Sequence, residues 1–169
     1  MNIVLEEWNK TDAQTARDTM LACCGATRWA TQMTDLRPIP SIASLSEAAD
    51  RVWATMIESD WLEAFACHPR IGERKAAPAS QQATVWSQQE QAAAEVATKS
   101  VADELAEGNA LYEQRFGFTY IVCAAGKTAD EMLAILKRRL VNHRMAELRE
   151  AAEQQRQIMQ IRLGKWLLS

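Results

Sequence analysis

The sequence predicts an all-α protein, a single domain over residues 1–169. Three observations point there. Alanine, glutamine, glutamate and leucine dominate, and all of them favour helix. Only six glycines and four prolines are available to break the chain. Apolar residues recur at helical spacing in segment after segment, and the one β-like run, "TYIVCAAG" from Thr119 to Gly126, has no obvious partner strand. The expected architecture is an orthogonal or bundle-like assembly of about six to eight helices.

Taken in order, "TDAQTARDTMLACCG" predicts a helix from about Asp12, capped by Thr11 and stopped at Gly25. "LRPIPSIAS" is a loop, because two prolines remove donors and fix φ. "SLSEAADRVWATMIES" predicts a second helix, with Ser44 and Glu47 as a capping box and Ala49, Trp53, Met56 and Ile57 as its apolar stripe. "DWLEAFAC" adds about two turns and ends at His68, which Pro69 pushes out of the α region. A polar connector, "KAAPASQQAT", leads to a long helix from about Val85 to Leu105, broken near Gly108. "NALYEQRFGF" forms another helix ending at Gly117, and the β-like run that follows reads as buried irregular or helical structure. "TADEMLAILKRRLVNH" carries a capping box, Thr128 and Glu131, and an inner face of Met132, Leu133, Leu136 and Leu140. A last helix runs from about Met145 to Trp166.

Composition narrows the function classes. Hydrophobic residues make up 48% of the chain and charged residues 24%, as in an ordinary soluble globule. The formal net charge of −3 argues against nucleic-acid binding, which calls for a basic surplus. No apolar run reaches membrane-spanning length, the start does not read as a signal peptide, and the tail "KWLLS" is not a peroxisomal ending. Cytoplasmic location is the default expectation. The four cysteines, Cys23, Cys24, Cys67 and Cys123, form no Cys-x-x-Cys pair, so no zinc-ribbon site is expected, and they read as reduced, small apolar residues.

Four constellations bear on chemistry. "GKT", Gly126 to Thr128, imitates a phosphate-binding loop, but Ile121 stands where the first glycine belongs, so a loop and helix cap is the reading. In "SQQEQ", Ser87, Glu90 and Gln91 share a helical face and could present a hydroxyl, a carboxylate and an amide to one ligand; from spacing alone, Ser-x-x-Glu near a helix start reads first as a capping box. On the last helix Leu148, Ala152, Gln155, Met159, Arg162 and Trp166 line one apolar face. Arg162 in that face is a salt-bridge partner, a snorkelling stem or an anchor for a carboxylate ligand. His68, one of only two histidines, has no second histidine or cysteine at ligand spacing, which leaves acid–base work with Glu90 as a partner, or a plain turn residue. His143 reads as a surface residue.

"HPRIGE", "SQQEQ", "NALYEQRFGFTYIV…GK", "RLVN…EL" and "IRL" occur in this order along nearly the whole chain. Together they resemble the OHCU decarboxylase (2-oxo-4-hydroxy-4-carboxy-5-ureidoimidazoline decarboxylase) family of uric acid degradation. The resemblance implies an all-α homodimer without cofactor or metal that converts OHCU, a small molecule, to (S)-allantoin and CO2. It places the catalytic histidine on His68, followed by Pro69, and Glu90 as its catalytic partner. It places substrate contacts on the Ser87, Gln88, Gln89, Glu90, Gln91 stretch, on Tyr120, Ile121, Val122, Cys123 and Ala124, and on Arg162. Family members often carry Asp-Leu after His-Pro, where this chain has Arg70 and Ile71. The rival readings are a cofactor-free hydrolase or tautomerase on a related ureide, and a helical interaction module.

Overall fold

The computed structural model describes residues 2–72, 81–90 and 98–169. Among them are nine helices and no strand: α1 (Ile3–Lys10), α2 (Ala13–Cys24), α3 (Thr27–Asp35), α4 (Ile42–Trp53), α5 (Glu58–Ala66), α6 (Gln81–Glu90), α7 (Lys99–Phe116), α8 (Ala129–Arg139) and α9 (Arg144–Trp166). The all-α expectation holds. No helix among the described residues is long and apolar enough to cross a membrane.

The chain forms two compact units, Met1–Ala64 with Arg156–Ser169, and Phe65–Gln155. In the first, α2 packs on α3 and α3 on α4. Trp29 is fully buried, and its indole N–H donates to the Ala49 carbonyl at 3.1 Å. Trp8 meets Trp166 edge-on at 5.8 Å. The proline loop is tied down by Arg37, whose guanidinium donates to the carbonyls of Trp8, Thr11 and Thr34.

Several boundaries depart from expectation for local reasons. Asp12, not Thr11, caps α2, because its carboxylate accepts from the Thr15 N–H, while Thr11 closes the unforeseen helix α1. Ser41 caps α4 by accepting from the Ser44 N–H, so the Ser44–Glu47 capping box does not form. No single helix spans Val85 to Leu105: Thr98 starts α7 afresh, its side chain accepting from the Val101 N–H. Gly108 does not break that helix. A Cβ there would sit 2.5 Å from Leu136 Cδ2, so the glycine lets α7 and α8 approach closely. At Gly25 and Gly117 the expected stops are left-handed, with φ of 86° and 81°.

In the second unit the core is aromatic. Tyr112 lies 4.7 Å from Phe116, 5.7 Å from Phe118 and 5.3 Å from Tyr120, ring centre to ring centre, and Phe118 reaches Phe65 at 5.5 Å. This cluster fastens the end of α5 and the chain after α7 to one core. None of the four cysteines is in a disulfide; Cys23, Cys24 and Cys123 are buried, and Cys67 is half-buried.

Candidate active site

His68 sits two residues past the end of α5, where its N–H donates to the Phe65 carbonyl at 3.1 Å. The turn that carries it is held at several points. Asn109 on α7 donates to the Ile71 carbonyl at 2.9 Å. Arg70 grips Glu113 with two bonds, Nε to Oε1 at 2.6 Å and Nη2 to Oε2 at 2.7 Å. Ile71 is buried, and Gly72 turns the chain with φ +86°. Arg70 and Ile71 thus anchor the turn. The half-buried imidazole points its Nε2 at Gln155 Oε1, 2.7 Å away, and Gln155 is fully buried. Pro69 is half-buried beside it.

On α6 the buried residues are Ala83, Trp86 and Ser87, and Glu90 follows on the same side, half-buried. Gln88 and Gln89 are exposed, and Gln91 lies outside the described residues. Because α6 is already helical at Gln81, Ser87 stands well inside it, and the capping-box reading of Ser87 and Glu90 falls away.

Residues 118–124 are neither helix nor strand, yet all but Thr119 are buried. A buried irregular backbone must find partners for its polar groups. Four of them do. Arg139 Nη1 donates to the Ile121 carbonyl at 2.7 Å, and the Cys123 N–H donates to Gln154 Oε1 at 2.9 Å. Lys127 Nζ donates to the Cys123 carbonyl, and the Lys127 N–H to that of Ala124. The Tyr120 hydroxyl donates to the Met132 carbonyl at 3.0 Å. Among the described residues, the N–H groups of Tyr120, Ile121, Val122 and Ala124 meet no acceptor. This is a row of buried donors. The Gly-Lys-Thr decoy resolves as expected: Lys127 is used internally, and Thr128 with Glu131 forms the α8 capping box.

Beneath this run lies a charged network that the sequence reading missed. Arg139, 1% exposed, donates from Nε to Glu147 Oε1 at 2.7 Å. Tyr112 also donates to that oxygen, and Asn142 donates to Oε2 at 2.9 Å. The guanidinium lies 4.9 Å from the centre of the Tyr120 ring. Burial disfavours the Arg139 charge, but the hydrogen bond and charge of Glu147 help to offset it, and its pKa lies above the ordinary value. Burial pushes the Tyr112 and Tyr120 hydroxyls well up, so both remain protonated donors. A signal was present: Arg139 stands three residues past Leu136 and seven past Met132, on the inner face of α8. Gln154 and Gln155 were also missed as partners; Gln155 was placed on the inner face of α9 without a role.

Arg162 belongs to the first unit and is 3% exposed, too deep to snorkel. Its charge acts on the buried Cys23 thiol there; burial drives that thiol well up, and the guanidinium opposes the shift. His143 is exposed. Among the described residues no three His, Cys, Asp or Glu side chains cluster as a metal site would require.

The family profile described as OHCU decarboxylase matches residues 9–164. The uric acid degradation bifunctional protein TTL of Arabidopsis thaliana is 39% identical over 150 residues, covering 88% of this chain and 46% of that protein. The chain therefore spans less than half the length of that relative. The 2-oxo-4-hydroxy-4-carboxy-5-ureidoimidazoline decarboxylase of Haloferax volcanii is 28% identical over 131 residues, 76% of this chain and 74% of that one. Among solved structures, a crystal structure of OHCU decarboxylase in the presence of (S)-allantoin aligns with a TM-score of 0.78 at 35% identity, covering 90% of this chain and 99% of that chain.

Proposed function

Because this chain belongs to the OHCU decarboxylase family, we propose that it removes CO2 from OHCU and yields (S)-allantoin in urate breakdown. The observation that carries the reading is the row of buried backbone donors at Tyr120, Ile121 and Val122 in the same unit as His68. Adjacent residues of α9 hold both parts, Gln154 the run and Gln155 the imidazole. A ureide is rich in carbonyl oxygens, and such donors are suited to bind them.

Decarboxylation leaves an electron pair on the carbon that loses CO2. In OHCU that carbon adjoins a ring C=N. The C–CO2 bond breaks, its pair forms a C=C bond between the two ring carbons, and the imine π pair moves onto the ring nitrogen, which takes up a proton. The resulting enol then gains a proton on the ureido-bearing carbon, loses the hydroxyl proton and becomes the carbonyl of allantoin. The substrate supplies its own electron sink, so the reaction proceeds without a cofactor. His68 and Glu90 handle the protons at the hydroxyl and at the new chiral centre. Ser87, Gln91 and the 120–124 backbone hold the ring and ureido amides. Arg162, the buried guanidinium of the Ile-Arg-Leu motif, takes the carboxylate. In this reading residues 1–169 act as one catalytic domain, in a cytoplasmic homodimer.

The test is to add the protein to freshly generated OHCU and to follow CO2 release and circular dichroism together. Rapid CO2 release with optically active (S)-allantoin is the expected result. Ureide consumption without CO2 would instead identify a hydrolase or tautomerase, and no acceleration at all would leave a non-enzymatic module.

A further inference from the structure

The proposed reaction needs a proton delivered to one face of one carbon. An imidazole can serve in that role only if it is fixed in both orientation and tautomer. Covalent geometry fixes neither at position 68, since the side chain leaves a turn and is half-buried. The ring must be held by another group.

Gln155 has the required placement. Its Oε1 lies 2.7 Å from His68 Nε2, and its side chain is fully buried on α9, away from water that would reorient it. An amide oxygen only accepts hydrogen bonds, so the opposing ring nitrogen carries the hydrogen. The next residue up the helix performs the parallel task. Gln154 Oε1 faces the Cys123 N–H at 2.9 Å, and a backbone N–H only donates, so an acceptor is required there too. Two consecutive glutamines thus use their carbonyl oxygens to hold the imidazole and the donor run in register. Both side chains are neutral. A carboxylate at either place would add a charge beside the group it holds and bias the imidazole toward its cation.

We propose that Gln155 is the positioning residue for His68: it accepts the Nε2 hydrogen and fixes the orientation and the Nε2–H tautomer of the neutral ring. The proposal rests on the decarboxylase reading for its catalytic consequence, but the tautomer itself does not depend on that reading.

Long-range proton–nitrogen correlation spectra of the 15N-labelled protein test it directly. With two histidines in the chain, a His143→Asn background leaves His68 as the only imidazole. At a pH where the ring is neutral, the nitrogen coupled to both Hδ2 and Hε1, which is Nε2, is expected at a protonated-type shift and Nδ1 at a pyridine-type shift. The reverse pattern overturns the proposal, and this readout needs no variant at position 155. In the same background, Gln155→Leu is expected to mix the tautomers and lower kcat by about 10- to 100-fold, part of the ~10²–10⁴-fold contributed by a positioned acid–base group. KM should stay within about twofold. A Gln155→Leu protein with the parent's tautomer and the parent's kcat also overturns the proposal. If the parent shows the Nε2–H tautomer but releases no CO2 from OHCU, the functional reading fails and the tautomer assignment stands.

Discussion

At position 68 one imidazole is held by its backbone, by the turn that follows it and by a buried amide. His68→Asn removes the titratable group and keeps a polar side chain of similar reach. The expected outcome is a loss of ~10²–10⁴ in rate, racemic residual product from unassisted decay of OHCU, and a melting temperature near the parent's. His143→Asn, at an exposed site, should match the parent in all three. Near-parent formation of (S)-allantoin by the His68 variant would remove this residue from the mechanism. The histidine was legible in the sequence because histidines are scarce here and proline follows it directly. Its partner was not. Gln155 lies 87 residues away, and a glutamine in an apolar helical stripe gives no sign of what it faces. The Ser87–Glu90 pair was ambiguous for a different reason. A capping box and a ligand-binding face share the same spacing, and only the start of the helix separates them.

The elements show the same division between local and distant causes. Caps and left-handed stops depend on neighbouring residues, so Gly25, Gly117 and the Thr128–Glu131 box were readable. Gly108 was misread as a break because a glycine that admits a neighbouring helix looks, in one sequence, like a glycine that ends its own. The Arg139–Glu147 pair joins the last turn of α8 to the first turn of α9. There a cation sits at a helix C-terminus and an anion at an N-terminus, each favoured by the local dipole. Their side chains are 2% and 0% exposed. Removing one partner of such a pair leaves a buried charge alone, which costs roughly 3–5 kcal/mol, whereas an apolar pair of similar volume is often tolerated. Arg139→Met and Glu147→Met should each lower the denaturant midpoint steeply, with the double variant nearer the parent than either. Additive losses in the double variant would show that the two side chains do not act as a pair. Arg139→Met should also disturb the 120–124 run, because the Ile121 carbonyl loses its donor.

For the molecule as a whole, the fold class followed from composition and periodicity, and the family from motifs that are weak singly and specific in order. The two-unit division had no counterpart in the sequence, which shows no linker: α5 and α9 each contribute residues to both units. The distribution of thiols turns that division into an observable. Cys67 is half-buried, while Cys23 and Cys24 lie in the core of one unit and Cys123 in that of the other. A thiol-reactive dye added to the native protein should therefore modify one site quickly and the other three only as fast as the structure opens. Peptide mapping of the slow phase would assign an opening rate to each unit without any engineered label. Equal, rapid labelling of all four would contradict the burial described above. The chain thus carries its own clock for unfolding, with one hand in each unit.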